Sequence, residues 1–294
     1  MISSTHKRIL VAVISLFITA GSVAQVTNVK LSRKAEAHFT NREWKEAVSM
    51  YQILLMETPG AGELYPPAII ASGKTDDYEK MIFFVELSEN NGIPLDSLFE
   101  NTFALSMRVN DTPIYESMLL TVKEKQPWFK KIVNNYLLRY YNLRKENDKA
   151  IEIADEILSF SPYNTDVILH KAKALTDCGR NEEAAGCMKE ILKKSPSSEE
   201  ASLFLGNYYY LKGKKHYERL ASKRDSIYAD KPHDITDTFK TERDSIIVKY
   251  FIPAKSYLGA GNLAERKPYV KSLLNKIDNY IKTGKDGNKP QLKR

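Results

Sequence analysis

The sequence predicts an all-α solenoid of about six helix pairs, and two ladders of residues with one pattern inside each rung lead to it. Prolines stand at Pro59, Pro127, Pro162 and Pro196, separated by twice 34, then 35, then 34 residues. Ala47, Met81, Tyr115, Ala150 and Ala184 form a second ladder with gaps of 34, 34, 35 and 34. Both slip by one residue between the third and fourth rungs, so one structural unit repeats beneath them. A fixed period of roughly 20 to 50 residues marks a stacked repeat architecture. Each rung reads as two short amphipathic helices. In the first, a polar turn leads to Trp44 and then Ala47, and Tyr51, Leu54 and Leu55 continue the apolar face at i+4, i+7 and i+8. A small residue is needed where two helices cross closely. The closing proline stops the second helix, because it has no N–H and clashes with the preceding turn.

From the N-terminus, the first element is an expected export signal over residues 1–24. Lys7 and Arg8 precede an apolar run from Ile9 to Ala20, and Ser22-Val23-Ala24 supplies the small residues of a cleavage site. The run is shorter than the roughly 20 residues that cross a bilayer, and no Cys follows to take a lipid. The expected mature chain begins at Gln25, is exported (periplasmic in a Gram-negative cell) and is not transmembrane.

The repeat region follows, over residues 25–266. Its best stretches are Ile132 to Asn164, with Leu137, Leu138, Tyr141, Ala150, Ala154, Ile157 and Pro162, and Asp166 to Ser198, with Ala172, Gly179, Ala184, Ile191, Leu192 and Pro196. Leu205-Gly206-Asn207-Tyr208-Tyr209-Tyr210-Leu211-Lys212-Gly213 begins a further unit. This pattern resembles the tetratricopeptide repeat family over most of residues 28–220. Units two and three depart from it: Met81 and Tyr115 replace the small residue, and Ile93 stands where a proline is expected, with Pro94 after it. The resemblance implies a TPR-like fold. It implies no particular partner, since the pattern residues make the core.

After Gly213 the period fails. The next ladder position falls near Glu218, yet the chain stays charged and helix-prone to Tyr228, turns at 229–234, and resumes a repeat-like pattern at Tyr250. Residues 214–250 are expected to lengthen one helix pair into a protruding hairpin, projecting by roughly 24 Å for about 16 extra residues. The arms carry near-duplicates, Arg224-Asp225-Ser226-Ile227 and Arg243-Asp244-Ser245-Ile246. The hairpin is either a docking arm or a spacer. Residues 267–282 form a final amphipathic helix expected to cap the solenoid's open apolar end, and 283–294 a disordered basic tail.

Charge argues against a nucleic-acid partner. Of the formal +7, Lys7 and Arg8 account for +2 and residues 282–294 for +4, leaving about +1 on residues 25–281. Cys178 and Cys187 flank a turn and are open to two readings, a disulfide in an oxidising compartment or two free thiols. No metal-ligand spacing, phosphate-binding glycine loop or nucleophile turn appears. No catalytic, cofactor or metal site is therefore expected. His38 and His170 are expected to pack in first helices, and Glu182-Glu183 and Glu199-Glu200 to sit at helix starts. Asn110-Asp111-Thr112 matches a glycosylation sequon, relevant only to a eukaryotic secretory route.

The family register implies that certain first-helix positions face a concave groove. At one such position stand Arg139, Lys173 and Asn207, and one turn earlier Asn135, Leu169 and Leu203. Tyr210 falls at a further groove position, whereas Tyr141 and Tyr209 fall in the core. The stripe formed by Asn135, Arg139, Lys173, Leu203, Asn207 and Tyr210 would suit an extended peptide or an acidic segment of a protein partner. A non-enzymatic scaffold is the leading expectation. Its rival is an accessory module for glycan or cell-wall substrate with weak enzymatic activity. Clustered exposed aromatics in a closed pocket, or two facing carboxylates, would favour that rival.

Overall fold

The computed structural model describes residues 29–228 and 236–286, with side chains placed for 29–223 and 237–282. The expected export signal, the hairpin tip at 229–235 and residues 287–294 lie outside them. Among the described residues the regular structure is helical and contains no strand. Five helix pairs follow the ladder: α1 (29–40) with α2 (Trp44–Glu57), α3 (Tyr65–Lys74) with α4 (Tyr78–Asn90), α5 (Leu95–Arg108) with α6 (Thr112–Lys125), α7 (Lys130–Arg144) with α8 (Asn147–Phe160), and α9 (Thr165–Asp177) with α10 (Asn181–Lys194). A sixth pair joins α11 (Glu199–Tyr228) to α12 (Thr236–Ile246) and α13 (Ile252–Leu258), and α14 (Leu263–Arg266) and α15 (Pro268–Asp286) close the chain. The fold is an all-α, TPR-like solenoid. It divides after Tyr140, inside α7, into two compact units.

The turns inside the pairs repeat to the atom. The N–H groups of Glu43, Asp77, Asp111, Glu146 and Arg180 donate to the carbonyls of His38, Ser72, Ser106, Tyr141 and Leu175 at 2.8–3.0 Å. The residue before each donor is left-handed: Arg42, Asp76, Asn110, Lys145 and Gly179, with φ of 63°, 56°, 55°, 58° and 75°. This bond across a left-handed residue satisfies carbonyls orphaned at a helix end. The spacing of these residues is 34, 34, 35 and 34, the ladder with its slip. Between pairs, the residues before the four prolines (Thr58, Gln126, Ser161, Ser195) lie at φ between −126° and −135°, the extended region that a following proline imposes. Where the proline is missing, Gly92 at φ 75° ends α4 instead, and the N–H of Ile93 donates to the Ser88 carbonyl at 2.9 Å.

In the first unit α3 is apolar on every side, and its residues are buried almost throughout. A helix with no polar face belongs inside, and α3 packs against α2, α4, α5 and α6. The degenerate ladder residues still pack, Met81 at 0 % and Tyr115 at 2 % exposure. Met81 fits because the small residue has changed partner: a Cβ on Gly73 would stand 2.6 Å from Met81 Cε. Tyr115 fills its place with rings, 5.1 Å from Phe103 and 5.8 Å from Tyr140.

In the second unit Ala150 and Ala184 are fully buried. The first helix of the sixth pair departs from the pattern. Gly213, 34 residues after the turn residue Gly179, stays helical, and α11 runs on to Tyr228, 15 residues or about 22 Å further. Gly213 here serves a close approach instead of a turn: a Cβ there would come within 2.9 Å of Tyr250 Cβ. The returning arm of the hairpin passes through a π-helical segment, Ile247–Phe251, which the sequence pattern did not announce. Pro253 lacks the N–H that the Lys249 carbonyl would otherwise receive, and a local widening to i→i+5 bonding answers such a loss.

The last helix buries Val270, Ile277 and Tyr280 against Tyr217, Phe251, Ala254 and Leu258. The Tyr280 ring stacks on Phe251 with centroids 4.5 Å apart and planes at 8°. Each fully buried side chain of this size stabilises by roughly 1.5–3 kcal/mol. Lys255 to Asp278 at 2.6 Å and Arg266 to Glu199 at 2.5 Å tie the end down. Cys178 and Cys187 are free thiols, the first exposed and the second partly buried, so the disulfide reading is set aside. No described helix is long and apolar enough to cross a membrane.

Candidate functional site

The residues singled out by register divide by unit. In the first, Asn135 and Arg139 are exposed on α7. Arg139 Nη1 lies 3.4 Å from Glu100 Oε1 of α5, and its guanidinium sits 5.5 Å from the Tyr136 ring centroid. The Tyr136 hydroxyl donates to Asp96 Oδ1 at 2.9 Å. Burial and that bond push the phenol well above its ordinary range. Arg139 is thus partly neutralised already. As an exposed pair this bridge is worth at most about 1 kcal/mol, so an incoming acid could displace Glu100 at small cost.

In the second unit Lys173 is exposed, with no ion pair to a described residue. Leu203 and Tyr210 face elsewhere: both are partly buried against the C-terminal core, with Tyr210 centroids 6.4 Å from Phe251 and 6.5 Å from Tyr280. Burial pushes the Tyr210 phenol up. Tyr210 therefore belongs to the packing of α11 on the cap. Tyr209 is half-buried and stacks on Tyr257 at 5.8 Å, while Tyr140 and Tyr141 are both core. His170 is exposed, contrary to its expected packing place, and His38 bonds the Glu43 carboxylate.

Asn207 is the register residue that lines a cleft. The cleft, about 510 Å³, lies where α9 ends, α10 begins and α11 crosses them. One wall is a stripe of α11, Phe204, Tyr208 and Leu211, at i, i+4 and i+7, and Leu211 is 61 % exposed. Thr176, Asn181 and Asn207 add hydroxyl and amide groups. Lys212 Nζ lies 2.5 Å from Glu182 Oε1 and donates to the Tyr208 hydroxyl at 3.1 Å. The bond to Lys212 pulls the Glu182 carboxyl below its usual range, and the same bond raises the lysine. The one carboxylate of the cleft is thereby engaged, and Lys215 remains as a cation at its rim. Sequence reasoning missed Phe204, Tyr208 and Leu211. Their signal was present, a second apolar stripe on α11 beside the core stripe through Gly206, Gly213 and Tyr217.

Apolar walls with a few amides and one rim cation can hold a side chain and main chain of a peptide. No pair of carboxylates faces across the cleft. Among the described residues no group of three or more His, Cys, Asp or Glu is placed to hold a metal ion.

No protein-family model and no curated protein matches the chain. Solved structures do. One from Bacteroides ovatus ATCC 8483, named for a suspected protein-binding role, is 18 % identical, covers 76 % of this chain and 100 % of its own, and has a TM-score of 0.52. A TPR repeats protein from Bacteroides fragilis NCTC 9343 is 13 % identical over 85 % of this chain and 97 % of its own, at a TM-score of 0.33. The C-terminal part of a TPR repeat-containing protein from Cytophaga hutchinsonii is 12 % identical over 83 % and 98 %, at 0.39. Likeness at this level of identity speaks to the fold alone.

Proposed function

We propose that the chain is an exported, non-enzymatic scaffold that holds a partner protein on the first-helix side of its helix pairs, with the cleft beside α11 as a seat for an extended segment. The observation that carries this is Leu211, a leucine 61 % exposed at the mouth of an apolar cleft flanked by Asn207 and Asn181. Most of the Leu211 side chain is in water beside Phe204 and Tyr208, and a bound side chain would cover it. In the same unit Lys173 adds an exposed cation, and Leu203 and Tyr210 pack α11 against the C-terminal core; Asn135 and Arg139 of the first unit are a separate candidate contact. The Bacteroides ovatus protein of like fold, with its protein-binding name, is consistent with this reading.

The test is affinity capture from the native cell envelope with wild type, Leu211→Glu, and the double variant Arg139→Ala with Lys173→Ala. A partner that co-purifies with wild type and is lost with Leu211→Glu supports the cleft. An unchanged set of partners with every variant removes it. A third protein lacking residues 218–249 decides whether the hairpin docks or only spaces.

A further inference from the structure

The first unit carries a different pocket, of about 710 Å³, at the turn ends of its first helices. Arg42, Lys74 and Arg108 bring three cations to its wall, and Asp111 one anion. Lys74 and Asp111 form an ion pair, so the net +2 rests on Arg42 and Arg108, both exposed and neither paired with a described residue. The remaining wall is aromatic. Phe39 and Trp44 meet edge to face, centroids 5.3 Å apart at 80°, and both are half-buried.

A structural account covers part of this. Basic residues at helix C-termini complement the helix dipole, and Lys74 and Arg108 end α3 and α5. It does not cover Arg42, which sits beyond α1 in the left-handed region at φ 63°. That conformation costs an ordinary L-residue roughly 1–2 kcal/mol, and glycine avoids the cost. The equivalent turn of the fifth pair uses Gly179. Asp76, Asn110 and Lys145 hold the same left-handed place in the other turns, so the backbone alone assigns Arg42 no role, and its role rests on its position on the pocket wall. What glycine would lack is the guanidinium.

We infer that this pocket takes an acidic segment of a partner protein, its carboxylates on Arg42 and Arg108 and an adjacent apolar side chain against Phe39 and Trp44. Guanidinium groups bind carboxylates through paired, charge-assisted hydrogen bonds, and the aromatic pair gives the segment's apolar residue a dry surface. The site shares no residue with the cleft of the second unit, so either can fail without the other.

The experiment uses the full mature chain with Trp128→Phe, which leaves Trp44 as its one indole. The probe is a short labelled peptide rich in Asp and Glu with one central Leu, compared with its Asn/Gln counterpart and with inorganic phosphate at matched ionic strength. Binding is read by anisotropy and by Trp44 emission, in the parent, Arg42→Gly and Arg108→Gln. The acidic peptide should bind, shift Trp44 emission and weaken with salt. Each arginine variant should weaken it by about tenfold or more, although Arg42→Gly melts no lower than the parent, which separates lost recognition from lost folding. Equal binding of the Asn/Gln peptide, unchanged affinity in both variants, displacement by phosphate at matched ionic strength, or no binding of the acidic peptide would each overturn the inference.

Discussion

Replacing Gly206 by Ala probes the contact that seats the sixth helix pair. A Cβ at Gly206 would stand 2.4 Å from Leu258 Cγ and 2.6 Å from its Cδ2. Carbon atoms rest at about 3.5–4.0 Å, so Leu258 or its helix must retreat by about 1 Å. Leu258 is fully buried, and the clash falls on its branch point, which no turn of the outer methyls relieves. Overpacking of this kind costs about 1–3 kcal/mol. Against it stands the helix propensity gained on replacing glycine, about 1 kcal/mol. Gly186 in α10 isolates that gain, since a Cβ there meets nothing within 4 Å. In urea unfolding followed by circular dichroism, Gly186→Ala should therefore stabilise the second unit by about 1 kcal/mol, and Gly206→Ala should destabilise it by about 1 kcal/mol. The gap between the two, about 2 kcal/mol, is the quantity to read. Equal stability of the two variants would show that α11 does not pack on α13 as described.

Other outcomes follow from the turns, the cap and the phenols. Lys145→Gly removes a left-handed lysine and should raise stability by about 1 kcal/mol, while Gly179→Ala should lower it by a similar amount, both measured by thermal melting. Tyr280→Ala strips the ring stacked on Phe251 and should cost about 3 kcal/mol, exposing apolar surface to a hydrophobic dye. Alkaline titration should destabilise the fold. Burial pushes Tyr51 and Tyr280 up to about 12 from an ordinary 10.0. The folded state then holds protons that the unfolded chain sheds. Their contribution is complete below pH 10 and is lost as pH rises from there toward about 12. A melting temperature flat across that window would contradict the burial of both rings.

The repeat was legible because its markers are fixed by backbone geometry. Prolines and small residues recur where helices must stop or cross, and the left-handed turns recur with them, slip included. Compensated departures were not legible. Gly92 does the work of a missing proline and Gly73 makes room for Met81, yet each is merely a glycine until its neighbour is known. The π-helical segment before Pro253 answers the proline's missing N–H, a loss that a helix can equally meet by kinking or ending, so the proline alone does not announce it. Register assigns both Asn207 and Tyr210 to a concave groove; Asn207 lines the cleft, whereas Tyr210 packs against the cap, because family position describes a regular pair and α11 belongs to an extended one. There the added cap partly buries what would be a groove position. The pocket around Arg42 was invisible for another reason: its residues come from three turns about 34 residues apart, and each alone reads as solvated charge.

A photo-crosslinking residue placed in turn at 211, 173 and 190, in the native host, tests the holding of a partner most directly. Positions 211 and 173 lie on first helices, and Glu190 is exposed on the second helix α10. One discrete adduct is expected from 211, an adduct of the same partner from 173, and none from 190. Adducts spread equally over all three positions, or absent from 211, would contradict a partner held on the first-helix side.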